Sequence, residues 1–362
     1  MFFFFFFSVL HQTFGEKDNL IFLRICHLIG VTSFIYILIN LKFFFVSANS
    51  IYKSTLFKFF IICFVSTFFV EIINNRLYLF NLIYPISFIS VSFLLVKSKP
   101  SPLPFALVSL LIFIYLFSLF IQGTPPTEWV KGSRNFVSIL VLYLTIVTIC
   151  ISHIYEKKDN IIIHLFFPLM TLIISVLALG RSGIITSVLL LLICLSHILI
   201  KQKKNIFSLI AVVFIISAAS YYFVQNLDYI QNSFLYKFET KGMGLDERAV
   251  VLDLYLNKID IVSFFYSLPN LDFIFSTQGI SLHNSYLNWH YSYGFGAIIL
   301  VIIVLFTLIK LFLKDRFLSF ILTTILFRSF SDQVLLSDGI LLGLPFMLIF
   351  AIYDFSINSK LK

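Results

Sequence analysis

Three short segments hold the residues best suited to chemistry. Gly180-Arg181-Ser182-Gly183 sets one permanent cation between two strongly apolar stretches. A charge at such a depth is costly and generally functional, and a guanidinium grips phosphate through two parallel bonds. The flanking glycines allow a tight turn and the close approach of a ligand. In the second segment, Glu247-Arg248 opens a stretch running to Ile259 with apolar side chains at Val250, Val251 and Leu254. Asp246 can cap a helix there, and Arg248 falls in its first turn, where free N–H groups and the helix dipole favour an anion. The third segment is Leu282-His283-Asn284-Ser285-Tyr286, followed by Gly294-Phe295-Gly296. An imidazole with a pKa of about 6.5 accepts a proton from a hydroxyl at neutral pH. His290 lies about two helical turns further on and can share the face of His283. The arginines point to an anionic ligand and the histidine to a proton acceptor.

These segments must be positioned by a membrane-embedded scaffold. Of the 362 residues, 60% are hydrophobic and only 12% charged, about half the charge of a soluble domain. The apolar runs are unbroken and about 15–25 residues long, which is bilayer-crossing helix length and excludes the alternating pattern of a barrel. Candidate spans are 1–10, 20–41, 55–73, 77–96, 103–121, 135–153, 161–179, 184–200, 206–224, 285–309, 317–331 and 339–353. The first is too short to cross unaided and lacks the basic leader and cleavage site of a signal peptide. The expected fold is therefore all-α and polytopic, about 11–12 transmembrane helices in a single membrane domain. One large loop, 225–284, is expected to carry short helices.

Alternate loops differ in positive charge. One set holds Lys42, Lys53, Lys97, Lys99, Lys157, Lys158, Lys201, Lys310 and Lys314 and the Lys360/Lys362 tail, and so faces the cytoplasm. Both termini are then inside and loop 225–284 is outside. The opposite face is poorer in lysine but carries Arg76, Arg134, Arg181, Arg248 and Arg328. Lysine serves the topology rule equally well, so outward arginine points to an anionic ligand, such as a lipid-linked pyrophosphate. Snorkelling to head groups is the plain alternative for Arg76, Arg134 and Arg328.

Other features exclude function classes. The net charge of +9 is spread between apolar runs and forms no nucleic-acid patch. Cys26, Cys63, Cys150 and Cys194 lie inside apolar runs without ligand spacing and read as buried thiols. His11, His27, His153, His164 and His197 read as structural. There is no Walker loop, G-x-G-x-x-G, H-E-x-x-H or D-x-D, so no metal site and no cofactor is expected.

Taken in order along the chain, the segments at 180–183, 247–248 and 283–286, together with many spans and one late outer loop, resemble the O-antigen polymerase and O-antigen ligase superfamily of bacterial membrane glycosyltransferases. The likeness covers most of 130–353; residues 1–120 add only hydrophobic spans. It implies a GT-C-like helical fold in the bacterial inner membrane, with the large loop periplasmic. It implies a metal-independent glycosyltransferase whose donor and acceptor are undecaprenyl-pyrophosphate-linked glycans. By this likeness Arg181 and Arg248 hold the pyrophosphate as it leaves and His283 is the general base. Asn284, Tyr286, Arg134, Arg328 and His290 are candidate substrate-binding residues. Membrane lipid and a chain-length regulator protein are further candidate partners. Within the superfamily, a ligase pattern starting at His283-Asn284 and continuing at Gly294 ends at Ala297, where glycine, threonine or tyrosine is usual. That departure, with the phenylalanine-rich composition (47 residues), favours polymerase over ligase. A lipid-linked oligosaccharide flippase is the rival from another class, but it calls for charges along the central spans, and these are nearly charge-free.

Overall fold

The computed structural model describes residues 1–14, 20–40, 54–75, 80–130, 134–155, 160–201, 247–271, 282, 284–336 and 342–358. In chain order its helices are α1 (Phe2–Phe14), α2 (Ile21–Ile39), α3 (Thr55–Ile73), α4 (Phe80–Ser98), α5 (Leu103–Ile121), α6 (Arg134–Tyr155), α7 (Ile161–Leu177), α8 (Arg181–Lys201), α9 (Glu247–Asn257), α10 (Ile261–Tyr266), α11 (Ser285–Tyr293), α12 (Gly296–Lys314), α13 (Arg316–Ser331) and α14 (Gly343–Asn358). No strand occurs among the described residues. Seven helices, α2, α3, α4, α5, α6, α8 and α12, are long and apolar enough to cross a bilayer, while α1, α7 and α14 are apolar but shorter. The chain is thus an all-α, multi-pass membrane protein. The span expected at 206–224 lies outside the described residues.

The distribution of apolar side chains identifies the solvent. On α12, Ile302, Leu305, Phe306, Ile309 and Leu313 recur every three or four residues and are exposed. On α5 the same spacing exposes Leu103, Leu107, Leu111, Ile114 and Ile121. Apolar faces of this size would not persist in water; lipid tails solvate them. By contrast, α6 is buried all round from Val137 to Ser152, as is α14 from Gly343 to Ala351. A helix apolar on every side belongs at the centre. α7 packs on α6, α8 on α7, α13 on α8 and α12 on α13, while α4 joins α2 to α14. Some hydroxyls inside this core pair across helices, which offsets the cost of burying them: Tyr143 Oη meets Ser8 Oγ at 2.7 Å, and Ser109 Oγ meets Thr148 Oγ1 at 3.0 Å.

The helix ends sort into two layers. In one, Asp354 of α14 accepts from Ser54 Oγ at 2.7 Å and from the backbone N–H groups of Thr55 and Leu56 at 2.9 and 3.0 Å. It therefore satisfies the free donors that begin α3. In the same layer Asp315 caps α13 through Leu318 N and meets His153 Nε2 at 3.0 Å. Burial alone would raise the Asp315 pKa, but the bond to His153 and its positive charge bring it below the usual carboxylate value. Lys97, Lys310, Lys314 and Arg316 each sit over an aromatic ring here. This is the lysine-rich end. The opposite layer, the arginine end, holds the start of α6, the start of α8 and the last turn of α13.

The expectation for 285–309 is corrected: this stretch is two helices, not one span. Gly294 has φ +52°, and a Cβ there would lie 2.3 Å from the Phe265 carbonyl oxygen. That carbonyl accepts instead from Phe295 N at 2.9 Å. The break leaves α11 with 9 residues, a length of about 14 Å that cannot cross. The short α1 belongs to the bundle: Phe4 and Phe5 are fully buried, and the helix packs on α2, α5 and α6. The helix expected from Asp246 is α9, although Asp246 lies outside the described residues.

Candidate functional site at the arginine end

Arg134 is the first residue of α6 and Arg181 the first of α8. Arg328, in the last turn of α13, joins these two starts. Its side chain is fully buried. Nη1 donates to Ser182 Oγ, and Nη2 donates to the Asn135 carbonyl and to Ser138 Oγ, each at 3.2 Å. Asp332 Oδ2 stands 3.1 Å from Nη2, one helical turn along. One guanidinium therefore touches the residue after Arg134 and the residue after Arg181. Backbone geometry brings the positions of Arg134, Arg181 and Arg328 together, although they lie far apart in sequence. Burial of a lone guanidinium would be prohibitive. Here one carboxylate, two hydroxyls and one carbonyl compensate it.

Gly183 allows the close approach. A Cβ on it would lie 2.3 Å from Ser138 Cβ and 3.8 Å from Arg328 Nη1. The expectation that both flanking glycines admit a ligand is corrected on this point, because Gly183 admits α6. Arg328 and Asp332 balance in formal charge, while the helices on either side, α6 and α8, each open on an arginine. The first turns of α6 and α8 add the positive ends of two helix dipoles. Such an arrangement suits an anion.

The third chemical segment docks on this same end of α13. Asn284 caps α11, its Oδ1 accepting from Tyr286 N at 2.8 Å and Leu287 N at 3.2 Å, while its Nδ2 donates to the Phe330 carbonyl at 3.2 Å. Ser285 Oγ donates to the Asp332 carbonyl at 2.9 Å and accepts from Val334 N and Leu335 N at 2.8 and 3.1 Å. Tyr286 Oη donates to the Leu326 carbonyl at 3.1 Å. Burial pushes the Tyr286 phenol up to about 12, so it remains a donor at neutral pH. His283 lies outside the described residues, but both its neighbours are fixed. Leu282 is buried with Val251, Tyr255, Leu268 and Leu271, and Asn284 holds α13. Asn284 and Tyr286, candidate substrate-binding residues, use their described bonds to cap α11 and to hold this segment to α13.

The α9 helix joins the cluster from the other side. Val251 and Tyr255 are fully buried in the small core around Leu282, so the helix that begins Glu247-Arg248 packs beside the His283 segment. Tyr255 Oη meets His290 Nδ1 at 2.9 Å, and His290 Nε2 meets the Phe264 carbonyl at 3.0 Å. A carbonyl only accepts, so Nε2 carries the proton and Nδ1 accepts from Tyr255. Burial lowers the His290 pKa below its ordinary value, opposed in part by the bond to Phe264. His290 is then neutral at pH 7, and both its nitrogens face protein groups. It clamps α9, α10 and α11 together.

Ser138 and Asp332 do not stand out in the sequence, and Ser285 stands out only as part of the His283 segment. Only as a pair do Arg328 and Asp332 carry a readable signal: opposite charges four residues apart at the end of an apolar run. Ser138 and Ser285 carry none of their own, because their roles come from contacts across 190 and 47–50 positions. Among the described residues no three His, Cys, Asp or Glu side chains gather to hold a metal. No family model, curated protein or solved structure matches the chain.

Proposed function

We propose that this protein is a metal-independent membrane glycosyltransferase that polymerises undecaprenyl-pyrophosphate-linked oligosaccharides at the periplasmic face of a bacterial inner membrane, as O-antigen polymerases do. The observation that carries this reading is the meeting of two helix starts, each opening on an arginine, with buried Arg328 and the segment flanking His283. An anion site beside a general base is what displacement of a lipid pyrophosphate requires. Arg181 and Arg248 would receive the charge that develops on the pyrophosphate oxygen. His283 would take the proton of the acceptor hydroxyl as its oxygen bonds to the sugar C1 and the C1–O bond to pyrophosphate breaks. Arg134 would add to the anion site. Arg328 acts through the ends of α6 and α8 and is a positioning residue. The donor carries its own free energy, so no nucleotide is needed outside the cytoplasm.

The lipopolysaccharide ladder of a deletion strain tests this reading. A single repeat unit on the core supports polymerisation. A bare core with polymer left on the lipid carrier would mean a ligase, and no lipid-linked repeats outside would mean a flippase. His283→Ala or Arg248→Ala in an inserted protein should abolish long chains. Normal chain lengths in both variants would refute the site.

A further inference from the structure

The helix α10 is built unlike a water-exposed loop helix. Its backbone points into the protein and its apolar side chains point out. Three consecutive carbonyls are taken by three partners: Phe264 O by His290 Nε2 at 3.0 Å, Phe265 O by Phe295 N at 2.9 Å, and Tyr266 O by Asn74 Nδ2 at 2.6 Å. At its start, Asp260 and Ser263 form a capping box with bonds of 2.7 and 2.8 Å. The backbone is thus fixed at both ends. Yet Ile261 is 82% and Val262 62% exposed, and Phe264, Phe265 and Tyr266 are exposed beside them. Of its six residues only Ser263 is buried.

Its level in the molecule explains this inversion. Asn74 is the C-cap of α3, and Phe295 directly precedes α12. The helix therefore lies where two bilayer-crossing helices end. On α3 the adjacent Phe68, Phe69, Ile72 and Ile73 are exposed, as are Phe295, Ile299 and Ile302 at the start of α12. The apolar surface of α10 thus adjoins the lipid-facing surface of α3 and α12, with Asn74 and Asn75 beside it at the end of α3.

We infer that α10 is an interfacial helix seated in the lipid leaflet at the arginine end, its partner being the boundary between head groups and acyl chains. Short segments with an outward apolar face and an aromatic residue at one edge sit at that depth. The consequence reaches the site. Through His290 and Tyr255, α10 holds α9, and through Ser267 Oγ, which donates to the Tyr291 carbonyl at 2.8 Å, it holds α11. Arg248 and the His283 segment are thereby carried at head-group level. This placement stands independently of the reaction proposed above.

The test is a single new thiol in the full-length protein reconstituted in phosphatidylcholine nanodiscs. All four native cysteines are buried, so a membrane-impermeant maleimide reads only the new one. Val262→Cys should react at least about tenfold more slowly than Glu128→Cys, which lies exposed in the loop between α5 and α6 at the same end. A dye attached at position 262 should be quenched by nitroxide-bearing lipid, and a dye at position 128 should not. Equal reaction rates at the two positions in nanodiscs would overturn the inference. So would protection in cells that is lost in nanodiscs holding one copy, which would assign the face to a protein partner. Ile261→Cys should repeat the result of Val262→Cys.

Discussion

The two ends of the helical bundle handle charge in opposite ways. At the lysine-rich end the cations lie over rings at the rim: Lys310 Nζ is 4.2 Å from the Phe306 ring centre and Lys314 Nζ 5.6 Å from that of Tyr353. Its carboxylates do local structural work, Asp354 at the start of α3 and Asp315 at the start of α13. At the arginine end a guanidinium is buried completely and bridges three helices. Exposed lysines over aromatic rings satisfy topology at little cost. A buried Arg328 costs desolvation and serves no topological purpose. The difference separates charge that orients a membrane protein from charge that organises a site.

The largest expected effect breaks this contrast from the arginine end. Arg328→Ala removes the guanidinium facing buried Asp332 and should cost about 3–5 kcal/mol of stability, seen as a large fall in Tm of the detergent-solubilised protein. The double variant Arg328→Met/Asp332→Asn should recover much of that stability without recovering long chains, since the starts of α6 and α8 stay unbridged. Recovery of both would make Arg328 an ordinary structural ion. Gly183→Val comes next. Its added atoms meet Ser138, and overpacking of this kind costs about 1–3 kcal/mol. Ser138→Gly in the same chain should relieve part of the loss in a thermal unfolding series.

The lysine-rich end supplies the third prediction. Asp354→Asn keeps an acceptor for Thr55 and Leu56 but loses the charge, and should cost about 1–2 kcal/mol while leaving chain length unchanged. Loss of polymerisation at unchanged expression would erase the distinction between the ends. The smallest effect concerns pH. The folded pKa of His290 is lowered by burial, so its stabilising contribution is complete above the ordinary histidine value. It is lost as pH falls from there through the folded pKa, because the unfolded chain binds the proton first. Wild-type Tm should decline over that acid window more steeply than that of His290→Gln. Parallel curves would mean that His290 does not clamp α9 to α11.

How much of this was readable depends on the range of the interaction involved. The spans were legible because apolar run length is a local property, and α3 and α5 begin and end at their expected limits. The sorting of lysine was likewise legible, since each loop carries its own charge. The break at Gly294 was not. Nothing in Tyr293-Gly294-Phe295 announces that the Phe265 carbonyl of α10 stands where a Cβ would lie. Asn284 stands out in the sequence as a candidate substrate-binding residue, and its cap of α11 follows a familiar rule, but its grip on Phe330 is visible only in three dimensions. Arg181 and Arg134 could each be suspected alone. That one buried arginine holds the two helix starts together is a tertiary fact.

Equilibrium binding of undecaprenyl pyrophosphate to the nanodisc-embedded protein tests most directly whether the arginine end is the anion site proposed above. Arg181→Lys keeps the charge and loses the planar fork; it should weaken binding about tenfold with Tm unchanged, whereas Lys310→Gln at the other end should leave affinity as it was. Unchanged affinity in Arg181→Ala, or equal losses from both ends, would contradict the account.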